Sequence, residues 1–339
     1  MRFNTVLCVA MVVLLNLAGS FCQLDVCGQT SLNTKIIGGE NANAGSWPWQ
    51  VMIKFTSSEV IYTCGGSLIN KDWVLAGAQS FNGFNNISDI VIYLGSQNLK
   101  GPNLHEINRT VIQLIKHPDF DPKSFDNDIA LLQLSSSVNF TDYIKPVCLA
   151  AAGSEFGEGL SSWLTGWGYT SDNSPLPDIL QEVEVPFVSN YNCSIFYNGT
   201  LNITDNMLCA GLINVGGKGP CSGDSGGPLI SKQHSRWIQA GIVSVAISST
   251  FCVDPMFPTV FTRVSKYQDW INAAIVTNQP GFVKFPDYNY YTPDYRPTTP
   301  DCPYPLFPDI FSGSSSSLYF LPSLSLTFSI ISLIVCLFL

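Results

Sequence analysis

Positive charge is scarce in this chain. Sixteen Lys and Arg stand against 25 Asp and Glu, a net charge of −9 over 339 residues. That balance excludes the basic stripe that nucleic acid or an anionic surface would select, so no nucleic-acid partner is expected. Histidine is scarcer still, with three: His105, His117 and His234. Internal repeats are absent, and neither a metal-ligand set nor a cofactor is read from the residues. Charge also vanishes from residues 318–339, an apolar run that closes the sequence.

What is present begins with the two ends. Arg2 precedes an apolar run over 6–17 and the small residues Ala18, Gly19 and Ser20, the pattern of a secretory signal spanning 1–22. The run is short for a membrane span. At the other end, Ser312-Gly313-Ser314 and a polar spacer lead into the uncharged tail. Residues 312–339 fit a glycolipid-anchor signal. A spanning helix is the alternative, although it would ordinarily carry Lys or Arg just inside the membrane. Either way the sequence implies the secretory pathway and the outer face of a plasma membrane. Between 277 and 311, eight prolines from Pro280 to Pro308 interrupt a Tyr- and Asp-bearing stretch. Such density reads as an extended stalk.

Of eleven cysteines, Cys8 and Cys22 belong to the signal and Cys336 to the tail. Cys27, Cys64, Cys148, Cys193, Cys209, Cys221, Cys252 and Cys302 remain, and secretion makes them disulfide candidates. Sequons fall at Asn86, Asn108, Asn139, Asn192, Asn198 and Asn202. Asn192 has Cys193 at its middle position and is the weakest of them.

Runs such as 49–55 and 90–94 have strand character and recur between Gly, Asn and Pro breaks, which predicts an all-β barrel or sandwich. The spacing of Val264, Tyr267, Trp270, Ile271 and Ala274 predicts a helix over 264–274.

Three motifs carry the chemistry. Gly223-Asp224-Ser225-Gly226-Gly227-Pro228, Asp126-Asn127-Asp128-Ile129-Ala130-Leu131-Leu132 and Trp73-Val74-Leu75-Ala76-Gly77-Ala78-Gln79-Ser80 resemble the nucleophile, acid and base segments of trypsin-like serine proteases. The match covers about 36–276 and is nearest to membrane-anchored members of the prostasin and testisin kind. It implies two six-stranded antiparallel β-barrels with a terminal helix, residues 23–35 as a pro-segment and 36–276 as the protease domain. Ser225 would be the nucleophile, Asp128 the orienting acid, and Gly223 and Ser225 the oxyanion donors. Lys35-Ile36-Ile37-Gly38-Gly39 resembles a zymogen site, where an activating protease would cut after Lys35 and free Ile36 to pair with Asp224. Gly219, Pro220, Val245, Ala246 and Thr259 would line a shallow specificity pocket for small apolar side chains. The implied bridges are Cys27–Cys148, Cys193–Cys209 and Cys221–Cys252.

Two departures decide the reading. Gln79 stands where the family has its histidine. An amide has no proton to exchange near pH 7, so it cannot act as general base; it can donate to Asp128 and accept from Ser225. Ser80 stands where the family pairs a cysteine with Cys64. That leaves Cys64 as a buried thiol or as a partner for Cys302. Ser162 and Ser231 replace both members of another familiar pair. The expected function is a surface-tethered pseudoprotease that binds a peptide, protein substrate or inhibitor in its groove. An unconventional serine endopeptidase and a structural coat glycoprotein are the alternatives.

Overall fold

The computed structural model describes residues 26–33, 40–57, 60–84, 86–171, 174–212, 219–245 and 257–286. The signal, the zymogen site, Ala246, Cys252, Cys302 and the stalk and tail beyond Pro286 lie outside the described residues. No helix among the described residues is long and apolar enough to cross a membrane.

A two-residue strand, β1 (Glu40–Asn41), opens the described body. The first barrel is built from β2 (Gln50–Ser57), β3 (Val60–Leu68), β4 (Trp73–Ala76), β5 (Val91–Leu94), β6 (Ile107–Lys116) and β7 (Ala130–Leu134). They close in the order β2-β3-β4-β7-β6-β5, with every neighbour antiparallel. β5 alternates half-buried and buried residues, the period of a strand with one face inward. β4 is buried along its length, between β3 and β7.

After β8 (Cys148–Ala150), the second barrel uses β9 (Ser161–Gly166), β10 (Gln181–Val188), β11 (Met207–Ala210), β12 (Pro228–Gln233), β13 (Arg236–Val245) and β14 (Thr259–Arg263). The ring runs β12-β9-β10-β11-β14-β13 and closes through β12–β13, while β1 pairs with β10. Ser162 and Ser231, buried on these strands, donate to the carbonyls of Val185 (2.7 Å) and Ser161 (2.6 Å). Neither hydroxyl is therefore left unsatisfied by the missing bridge.

One core cluster draws on both barrels, while a separate one fills the second barrel. Trp47, Trp49, Trp163 and Trp237 are buried together at the seam, Trp47 and Trp237 with ring centroids 4.8 Å apart. Buried side-chain bonds also cross the seam: Ser67 Oγ donates to Gln239 Oε1 (2.6 Å) and Thr165 Oγ1 to Gln50 Oε1 (2.6 Å). Such pairs hold register, since slipping either barrel would strand a buried polar atom.

α1 (Asn190–Phe196) is capped by Ser189, which accepts from the Asn192 N–H, and is fastened to β11 by the Cys193–Cys209 bridge. The second bridge, Cys27–Cys148, ties the segment ahead of β1 to β8. Cys221 is also disulfide-bonded, to a partner outside the described residues.

The terminal helix is shorter than its spacing predicts. A 3₁₀ turn, Val264–Lys266, gives way at Tyr267 to α2 (Gln268–Ala274). Tyr267 adopts φ −113° and ψ 11°, which interrupts the α-helix. Val264, Tyr267 and Ile271 still bury one face against the core.

The folded body also runs past 276, into the stretch read as stalk. β15 (Phe282–Val283) pairs parallel to β8. Phe285 is buried against Phe156 (centroids 4.7 Å) and beside the Cys27–Cys148 bridge. Its N–H donates to Ser154 Oγ (3.0 Å), and its carbonyl accepts from the Glu155 N–H (2.7 Å). The apolar pair Phe282-Val283 was enough to dock a strand because β8 offered a free edge. Phe285→Ala should therefore destabilise the domain by about 3 kcal/mol in denaturant unfolding. A midpoint unchanged by the substitution would place the end of the fold before Pro286.

Candidate active site

Three segments distant in sequence meet at the seam between the barrels. β4 passes through Gly77 into a 3₁₀ turn, Ala78–Phe81, that carries Gln79. Phe125 and Asn127 take left-handed backbone (φ 58° and 57°), and this tight reversal turns Asp128 inward just ahead of β7. Asp128 is 0 % exposed. The third segment is β13, whose pairing with β14 slips between Val243 and Val245. Ser244 sits at that bulge, and a bulge re-aims the side chain and carbonyl it carries.

The Asp128 carboxylate collects donors from both barrels. Oδ1 accepts from the Gln79 main-chain N–H at 2.7 Å and Oδ2 from the Ser244 hydroxyl at 2.5 Å, while the Ala78 N–H also donates. Thr262 Oγ1 holds the Asp128 carbonyl at 2.7 Å. Burial pushes the Asp128 carboxyl up to about 6, with these donors pulling the other way.

The Gln79 side chain turns elsewhere than expected. Its Nε2 donates to the Ser244 carbonyl, not to Asp128, and no bond links it to Ser225. The reason is local: the carboxylate is already served by main-chain donors and a hydroxyl, and the bulge has taken the Ser244 carbonyl out of the β13–β14 ladder. Ser244, not singled out from the sequence, thus binds both Asp128 and Gln79. A serine inside the buried run Ile242-Val243-Ser244 was the available signal, since a buried hydroxyl needs a partner.

Ser225 lies in consecutive tight turns, with Asp224 N–H on the Cys221 carbonyl (3.0 Å) and Gly227 N–H on the Asp224 carbonyl (2.9 Å). Gly226 has φ 81°, and a Cβ there would stand 2.7 Å from the Gly65 carbonyl oxygen, so only glycine lets this loop close on β3. The Ser225 hydroxyl has no hydrogen-bond partner among the described residues. Nor do the Gly223 and Ser225 N–H groups, two donors free for an anionic oxygen.

Asp224 points its carboxylate into the fold. It accepts from the Gly168 N–H (2.8 Å) and the Cys221 N–H (3.0 Å), so close that a Cβ on Gly168 would come within 2.4 Å of it. Burial pushes this carboxyl too up to about 6, against those two donors. Lys35 and Ile36 lie outside the described residues, and so does the expected ion pair. Of the expected pocket, Gly219 and Val245 are half-buried, while Pro220 and Thr259 are buried; Thr259 pairs with Ala210.

Cys64 is a buried free thiol. Burial pushes it up to about 12, and the neighbouring Ser80 hydroxyl holds it down only in part. That hydroxyl is itself buried and lies outside regular hydrogen-bond geometry. The three histidines are engaged elsewhere. His117 sits between Tyr267 (5.3 Å) and Trp270 (5.1 Å), and its Nδ1 accepts from the Asp119 N–H. His105 stacks on Tyr143 (3.5 Å), and His234 occupies the β12–β13 turn with φ 56°.

Among the sequons, Asn86, Asn108, Asn139, Asn198 and Asn202 are exposed. Asn192 is half-buried in α1, its Nδ2 donating to Glu158 Oε1 at 2.6 Å.

Two closed six-stranded barrels with a serine turn and a buried acid at their seam define a chymotrypsin-fold serine protease domain. A family model described as Trypsin matches residues 36–271. A tryptase of Mus musculus is 39% identical over 249 residues, covering 70% of this chain and 87% of that protein. The chain belongs to the trypsin family of serine proteases, whose groove receives peptide and protein substrates or inhibitors.

The buried acids set a pH dependence. Asp128 holds its proton in the fold up to about 6, above its ordinary 3.8. Its contribution is therefore complete below about pH 4 and is lost as pH rises through about 6, a decline of up to about 3 kcal/mol. Unfolding free energies between pH 4 and 7 should fall in this window, and Asp128→Asn should flatten part of the slope. A second expectation concerns the thiol. Ser80→Cys should consume the Cys64 thiol and raise stability by about 3 kcal/mol; a thiol titration that still finds Cys64 free would show the two out of bonding reach.

Proposed function

We propose that this chain is a catalytically impaired trypsin-like protease, a pseudoprotease that binds a peptide, protein substrate or inhibitor in its groove at the outer face of a membrane. One observation carries the reading: the residue facing the buried Asp128 is an amide, Gln79, and its side chain is spent on the Ser244 carbonyl. Serine attack needs a group that takes the hydroxyl proton and later gives it to the leaving amine. Neither Gln79 nor any of the three histidines is bonded to Ser225. The nucleophile, the orienting acid and the oxyanion donors otherwise keep the roles assigned from sequence. Gly219, Pro220, Val245, Ala246 and Thr259 would receive a small apolar side chain. Cleavage after Lys35 would free Ile36 for Asp224, whose buried carboxylate lacks a cationic partner among the described contacts and would gain by one. The secretory route fits the disulfides, and the C-terminal tail would supply the tether.

A second reading, a weak endopeptidase, draws on the free N–H groups of Gly223 and Ser225. Oxyanion stabilisation and binding alone leave roughly 10³-fold over water when a triad member is absent.

The test uses the chain cleaved after Lys35 and peptides with Ala or Val before the scissile bond. Turnover should match that of Ser225→Ala, and Gln79→His should raise kcat/KM by roughly 10³-fold or more. Turnover by the unaltered chain that disappears in Ser225→Ala would replace the first reading with the second.

A further inference from the structure

The connection from α1 to β11 carries a sequon at Asn202 and is fastened to both sides of the candidate site. Leu201 and Ile203, which flank Asn202, pack against the buried cluster of Tyr197, Met207 and Val260, and so does Val245. Thr204, the third residue of the sequon, donates its hydroxyl to Asp126 Oδ1 at 2.9 Å, and Asn206 Nδ2 reaches the same carboxylate at 3.1 Å. Val245 directly follows Ser244, and Asp126 lies two residues before Asp128. Asn202 therefore stands on a bridge between the loop that carries Asp128 and the strand that carries Ser244. Its neighbours turn inward, and Asn202 is exposed.

We propose that Asn202 bears an N-linked oligosaccharide that screens this end of the groove, admitting a short extended peptide and slowing a folded protein. The modification forms a bond between Asn202 Nδ2 and the first sugar carbon of a lipid-pyrophosphate-linked oligosaccharide. The carbon–oxygen bond to the pyrophosphate breaks, the lipid pyrophosphate leaves, and the amide nitrogen loses a proton. The attached chain is bulky and mobile, and the paired side chains beneath it fix the base from which it projects. Asn192 is a poor alternative, because its amide is bonded to Glu158 and its helix is locked by the Cys193–Cys209 bridge. The inference rests on the groove being a peptide site for its consequence, although the screen itself can be measured without any groove ligand.

The experiment uses the full chain from a glycosylating secretory host, with Ser225→Cys as a reporter at the centre of the groove. Labelling at position 225 is followed by peptide mass spectrometry, once with iodoacetamide and once with a bulky polyethylene-glycol maleimide. Cys64 is buried and gives little background. Glycopeptide mapping should find Asn202 modified. Adding Asn202→Gln should speed the bulky reagent roughly five-fold or more, while iodoacetamide changes by less than about two-fold. Asn139→Gln, at another exposed sequon, should change neither. An unmodified Asn202, an unchanged bulky rate, an equal gain from Asn139→Gln, or both reagents accelerating alike would each overturn the proposal. Failure of the groove to bind peptides would appear in a separate binding assay and would leave these rates as they are.

Discussion

Everything at the seam is organised around one buried carboxylate. Asp128 has no contact with solvent, so its charge or its proton must be accommodated by fixed donors. The first barrel supplies main-chain N–H groups from Ala78 and Gln79, and the second supplies the Ser244 hydroxyl. Thr262, also of the second barrel, holds the Asp128 carbonyl. Removing any one element would leave a buried acceptor under-served, at a cost of about 1–3 kcal/mol. The acid is thus a clasp between the barrels. On the proposed reading this explains how the base could be lost without loss of the fold: none of the Asp128 donors seen here is a side chain of residue 79.

The Gln79 amide adds a second clasp at the same point. Its bond to the Ser244 carbonyl links a first-barrel turn to a second-barrel bulge. The adjacent Ser80 leaves the same turn without the covalent link to β3 that the family would place at Cys64. A disulfide across so short a loop contributes about 3 kcal/mol in the chain-entropy account, and a neutral hydrogen bond contributes about 1 kcal/mol. The exchange therefore leaves the turn held by weaker but more numerous contacts, with the thiol and the hydroxyl both buried and only loosely engaged with each other.

Runs of strand character such as 90–94 were enough to predict a barrel or sandwich, and the resemblance carried by the three motifs implied two six-stranded barrels. The inward and outward alternation of Val91-Ile92-Tyr93-Leu94 appears only in the structure, because all four residues are apolar. What escaped the sequence depends on tertiary meeting. Nothing local in Gln79 says whether its amide will face Asp128 or a carbonyl, because that choice is made by a bulge at Ser244, 165 residues away. The docked strand β15 escaped for a related reason. Its apolar pair looks like stalk by composition, and only the free edge of β8 and the apolar site beside Cys27–Cys148 turn it into structure.

That docking has a consequence for how the domain is carried. The segment around Cys27 and the last described strand share β8: Cys27 is bonded to Cys148 at its start, and Leu149 and Ala151 donate to the carbonyls of Gly281 and Val283 on its edge. β8 in turn runs parallel to β13, the strand that carries Ser244. The segments around Cys27 and Phe282 are therefore anchored to one strand, and one further strand leads from there to the seam. On the proposed reading, a tether beyond Pro286 would act on the domain through this edge, and the site would present a fixed surface to a ligand, because its geometry is set by the buried clasp at Asp128.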